Sequence, residues 1–202
     1  MALRPSVRAI RRALFDFRGW RSRDYEAPSP KTVKDRVLRR NSIPGGTWVE
    51  TGTFLGETTS LLASWGGPVY SLEPAKSLFD HAARRFKGQR HVVIVNAPSE
   101  ESFPKLLPTL KGPLNFWLDG HFSAGATFQG ELDTPIISEL DAIAANLPNL
   151  LPIAILIDDV RCFDPTLPEY ATYPPLDVLV DWARKHDLRW HIEHDIMIMR
   201  SR

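Results

Sequence analysis

Six polar residues in this chain each stand at the end of a short apolar run. They are Glu50, Glu73, Asn96, Asp119, Asp158 and Asp159. A carboxylate at the edge of a core is costly to desolvate, so a ligand or a metal usually compensates it. One such acid is ordinary and often caps a helix. Six polar run-ends, five of them carboxylates, point to a binding site instead. Groups of this kind accept hydrogen bonds from hydroxyls, hold cations and position protons.

The first run continues into a turn reading Glu50-Thr51-Gly52-Thr53-Phe54-Leu55-Gly56-Glu57-Thr58. Its glycines lie four apart. A dinucleotide fingerprint needs G-x-G-x-x-G, and a phosphate-binding P-loop ends in Gly-Lys-Ser/Thr. Neither is present. Without the second glycine the close approach of a pyrophosphate is disfavoured, and a cofactor without phosphates fits better. Glu73, about twenty residues on at the next run-end, is placed to accept hydrogen bonds from a ribose diol. A nucleoside without phosphates points to S-adenosylmethionine.

Over about residues 44–200 the chain resembles the class I S-adenosylmethionine-dependent methyltransferases. Glu50-x-Gly52-x-x-x-Gly56 resembles their first cofactor loop, and Val69-Tyr70-Ser71-Leu72-Glu73 their ribose-binding strand. Asn96-Ala97-Pro98-Ser99 resembles the loop beside the adenine, where an acid is commoner. The resemblance implies cofactor contacts from Glu50, Thr51, Gly52, Thr53, Gly56, Thr58, Glu73, Asn96, Ser99 and Asp119.

A narrower resemblance joins Asp119-Gly120-His121 and Asp158-Asp159 to small-molecule O-methyltransferases of the macrocin and catechol types. It implies that Asp119, Asp158 and Asp159 hold a divalent cation, usually magnesium, with His121 and Asp119 as the catalytic residues. Carboxylate oxygens suit magnesium, while the lone Cys162 and the single nearby histidine argue against zinc. Arg161 is an alternative partner for the acidic pair. The resulting expectation is metal-dependent methylation of a hydroxyl on a small molecule such as a sugar or phenol. The alternatives are a metal-independent methyltransferase on another acceptor and a non-catalytic domain for cofactor binding or assembly.

Elements must place these residues together. Apolar runs at 47–50, 68–72, 91–95, 114–118 and 153–157 alternate with helical patterns at 58–65, 76–86, 103–110, 134–146 and 176–186. Runs at 188–193 and 196–199 close the chain as a hairpin. This order predicts a Rossmann-like, doubly wound, mostly parallel sheet of about seven strands with an antiparallel closing hairpin. Residues 120–135, rich in Gly and Thr, are expected as a loop over the site.

The 202 residues suffice for one such domain, expected over 42–202, behind a basic helical arm over 1–41. Residues 1–40 carry 12 Lys/Arg and 4 Asp/Glu, and the other 162 carry 13 and 20. In the arm, Val7, Ile10, Leu14 and Phe17 recur at helical spacing. Ser29 and Pro30 are expected to cap and start a second helix. The arm is expected as a lid or a homo-oligomer contact. Nucleic acid and peripheral membrane contact are disfavoured, because Asp16, Asp24 and Glu26 interrupt its basic face. A composition of 43 % hydrophobic and 24 % charged residues, with one cysteine, fits a cytoplasmic globular protein without disulfides.

Overall fold

In the computed structural model the described residues are 15–120 and 134–202. Seven strands form one sheet: β1 (Thr47–Thr51), β2 (Val69–Leu72), β3 (Val92–Val95), β4 (Leu114–Leu118), β5 (Ile153–Ile157), β6 (Arg189–Glu193) and β7 (Ile196–Arg200). Their order is β3-β2-β1-β4-β5-β7-β6. The first five run parallel, and β7 is antiparallel to both β5 and β6. The doubly wound sheet and closing hairpin match the expectation from sequence.

Burial explains the order. β4 and β5 are buried at every position and lie at the centre. Such uninterrupted apolar runs belong in parallel strands covered on both faces. β6 is largely exposed and forms one edge.

Around the sheet lie α1 (Lys31–Asn41), α2 (Glu57–Ala63), α3 (Lys76–Arg85), α4 (Ser99–Leu106), α5 (Ile136–Leu150) and α6 (Leu176–Lys185). Side chains alternate between the two faces of a strand. Trp48, Trp117, Leu156 and Ile198 therefore meet Val37 and Leu38 of α1 and Leu62 of α2 on one face. Val49, Phe116, Ile155 and Met197 meet Phe103 of α4, Leu140 and Ile143 of α5 and Leu179 of α6 on the other. Trp117 is a core residue, as its place in an apolar strand suggests.

Two local expectations change. Ser29 does not cap α1: Pro30 occupies the cap position, and the Ser29 hydroxyl is 3.4 Å from the His194 carbonyl. α4 begins at Ser99, earlier than the helical pattern implied, with Glu100 and Glu101 in its first turn. Acids there complement the positive end of the helix dipole. Ahead of α1, residues 15–21 are helical, and Trp20 is buried with its ring 5.5 Å from that of His194. Among the described residues no helix is long and apolar enough to cross a membrane.

The chain leaves β1 for β2 on one side and later returns past it to β4 on the other. The winding reverses between β1 and β4. In open α/β sheets, ligands bind in the crevice at the carboxyl ends of the strands at that point.

Candidate functional site at the β1–β4 crevice

Two glycines form the floor of this crevice. Gly52 has φ +85°, and a Cβ there would lie 2.7 Å from the Asp119 carbonyl oxygen. Opposite it, a Cβ on Gly120 would lie 3.0 Å from Thr51 Oγ1. The Asp119 N–H donates to that Thr51 oxygen at 3.2 Å. The backbones after β1 and β4 therefore approach closely at Gly52, and the Thr51 side chain bridges them beside Gly120.

The turn itself folds back on β2. The N–H groups of Gly52 and Thr53 both donate to the Leu72 carbonyl at 3.1 Å, and that of Gly56 donates to Thr53 at 2.8 Å. The Phe54 N–H donates to Glu73 Oε2 at 2.8 Å. These four donors are engaged within the protein.

Glu50 is fully buried below the turn. Its Oε2 accepts hydrogen bonds from Thr59 Oγ1 and Ser71 Oγ, both at 2.6 Å. Its Oε1 is buried and has no hydrogen-bond partner among the described residues. Burial pushes this carboxyl up to about 7, against the pull of the two hydroxyl donors. Glu73 is also buried, and burial raises its pKa while the N–H groups of Phe54 and Ala75 oppose the rise. Each Glu73 oxygen accepts one of those N–H groups and keeps lone-pair capacity for a hydroxyl.

Asn96 donates from Nδ2 to the Glu73 and Pro74 carbonyls at 2.8 and 3.1 Å, tying the end of β3 to that of β2. Ser99 is buried at the start of α4, and Thr58 is half-buried in the first turn of α2. Thus Glu50, Thr51, Gly52, Thr53, Gly56, Glu73 and Asp119 share one edge of the sheet, with Asn96 bound to it. Ser71 and Gly120 stand within motifs named from the sequence but were given no role there, and Thr59 was not anticipated.

Glu73→Ala leaves two N–H groups without their acceptor. It is expected to weaken S-adenosylhomocysteine binding by about 1–3 kcal/mol in calorimetry. Unchanged affinity would remove Glu73 from the site.

The acidic pair differs from its expected role. Lys34 Nζ lies 2.7 Å from both oxygens of Asp158 and 2.9 Å from Asp159 Oδ1. Arg161 bonds Asp159 at 2.7 Å and also pairs with Asp195. Burial lowers the pKa of the Lys34 ammonium, but Asp158 and Asp159 outweigh it and hold it above the ordinary lysine value. Burial pushes the Asp158 carboxyl up, with Lys34 opposing. No group of three or more metal-ligand side chains occurs among the described residues. The positions of Asp158 and Asp159 do not fit the expected magnesium ion, because an ammonium fills the space between them. One sequence signal pointed to Lys34: it lies three and four residues before Val37 and Leu38, on the buried stripe of α1. His121, the expected base, lies outside the described residues.

Beside Asp158 is a narrow recess at the ends of β4 and β5. Leu118, Ile157, Phe163 and Tyr173 line it together with the buried carboxylate of Glu139.

No family model matches this sequence, and no curated protein does. Solved structures share its fold. A candidate caffeoyl-CoA O-methyltransferase from Staphylococcus aureus is similar with a TM-score of 0.56 at 12 % identity, over 97 % of this chain and 91 % of that one. A candidate rRNA methylase from Clostridium thermocellum gives 0.54 at 13 %, over 82 % and 92 %. A candidate methyltransferase from Streptococcus mutans, solved with S-adenosylhomocysteine, gives 0.53 at 12 %, over 87 % and 99 %. The chain therefore has the fold of the class I S-adenosylmethionine-dependent methyltransferases.

Proposed function

We propose that this protein transfers a methyl group from S-adenosylmethionine to a hydroxyl of a small acceptor, without a divalent cation. The observation that carries this reading is the close approach of the segments after β1 and β4 at Gly52 and Gly120, bridged by Thr51, at the reversal of the sheet. Glu73 stands beside it at the next strand end. Bound there, the cofactor would supply an electrophilic methyl group on its sulfonium.

The chain's own residues would do the rest. Glu73 would accept the ribose hydroxyls, and the turn from Thr51 to Gly56, with Thr58 behind it, would frame the cofactor. Asn96 and Ser99 would border the base. Asp119 would stand at the join between cofactor and acceptor. Orientation of acceptor and methyl in line would provide much of the rate.

Calorimetry with S-adenosylhomocysteine tests this reading. Binding is expected for the wild type, and NAD binding in its place would refute it. In this reading His121 takes the acceptor's proton. His121→Ala is then expected to lower kcat by about 10²–10⁴ while leaving S-adenosylhomocysteine affinity unchanged. Loss of cofactor affinity instead would mean that His121 is no base.

A second reading, an RNA acceptor, is favoured by the rRNA methylase among the similar structures and by exposed Arg36 and Arg39 on α1. Salt-sensitive gel retardation of an rRNA fragment would select it.

A further inference from the structure

We infer that Lys34 supplies, from within the chain, the positive charge that the carboxylates of Asp158 and Asp159 need, so this edge of the sheet works with a lysine ammonium in place of a divalent cation. An ammonium has three N–H donors. Here three carboxylate oxygens lie within hydrogen-bond distance of it: both of Asp158 and one of Asp159. The group is shielded, with side-chain exposures of 17 % for Lys34, 6 % for Asp158 and 15 % for Asp159. Charges held this far out of water need a matched partner.

Magnesium binds carboxylate oxygens at about 2.0–2.1 Å in octahedral geometry and keeps several waters. It would have to occupy the concave space that Lys34 Nζ fills. Lysine and metal are therefore competitors for one pair of carboxylates. Arg161 adds a second internal cation, shared between Asp159 and Asp195. Lys34 also comes from α1, which precedes its partner Asp158 by 124 residues. The same contact thus fastens α1 to the end of β5.

Mn²⁺ alone is the probe, read by paramagnetic resonance and thermal unfolding. These readouts need neither cofactor nor acceptor, so they stand or fall independently of the methyl-transfer reading. The wild type is expected to bind no Mn²⁺ at this pair and to melt at the same temperature in Mn²⁺ and in EDTA. Lys34→Arg should behave like the wild type. Lys34→Ala should melt lower in EDTA and recover in Mn²⁺, binding the ion about tenfold or more tighter than the wild type once the competing charge is gone. Adding Asp158→Asn should abolish that recovery. Mn²⁺ bound by the wild type and lost in Asp158→Asn would overturn the inference. So would Lys34→Ala with wild-type melting and no response to Mn²⁺. Should Lys34→Ala fail to fold, the wild-type and Lys34→Arg titrations decide the matter alone.

Discussion

Gly52→Val is expected to abolish S-adenosylhomocysteine binding. Gly52 holds φ +85°, a left-handed conformation that is a genuine outlier for a β-branched residue. The register cannot relax it, since the Gly52 N–H is bonded to the end of β2 through Leu72. The new Cβ would also meet the Asp119 carbonyl oxygen at 2.7 Å and its carbon at 3.2 Å. Both are backbone atoms in a strand-end segment and cannot swing aside. The collision must spread the ends of β1 and β4, where the cofactor is expected.

Gly66 provides the control. It holds φ +86°, but nothing lies within 4 Å of its ideal Cβ. Gly66→Ala therefore carries only the left-handed penalty of about 1–2 kcal/mol. Gly52→Ala carries that penalty and the backbone collision. Calorimetry and thermal unfolding on the two alanine variants separate the effects. Both should melt lower, and only Gly52→Ala should lose affinity. Equal affinities would show that the floor of the crevice is not the binding site.

Thermal stability is expected to fall as pH rises from about 4.5 to 7, and Glu50→Gln is expected to flatten much of that fall. Burial is the cause: the Glu50 carboxyl is raised from 4.5 to about 7. Within that window the folded protein keeps a proton that the unfolded chain has released. Stability is therefore fully present below the unfolded value and is lost as pH passes through the folded one. The full difference is on the order of 3 kcal/mol.

Glutamine keeps an oxygen for the Thr59 and Ser71 hydroxyls and removes the titration. Glu73 is shifted in the same direction. Its charge also raises Glu50, so the difference between the two profiles reads Glu50 together with its coupling to Glu73. Identical slopes across the window would show that Glu50 does not titrate there.

Much of this architecture was legible from local sequence. β4 and β5 are unbroken apolar runs, and such runs have a stable home only in the covered middle of a parallel sheet. The spacing of Gly52 and Gly56 disfavoured a phosphate-bearing cofactor. The polar residues Glu50, Glu73 and Asp119 were readable as strand ends because each directly follows or closes an apolar run.

The partners of those residues were decided by tertiary structure. Glu50 meets Ser71 from a neighbouring strand and Thr59 from a helix, so whether it faces a ligand or the interior depends on how α2 packs. The family resemblance made Asp158 and Asp159, with Asp119, ligands of a cation. Lys34 reaches Asp158 from 124 residues away because Val37 and Leu38 bury α1 against the sheet. Apolar periodicity and turn chemistry belong to neighbouring residues, so the sequence by itself determined the elements and their edges. The neutralisation of a buried charge depends on which distant side chain the packing delivers, and only the folded chain decided that.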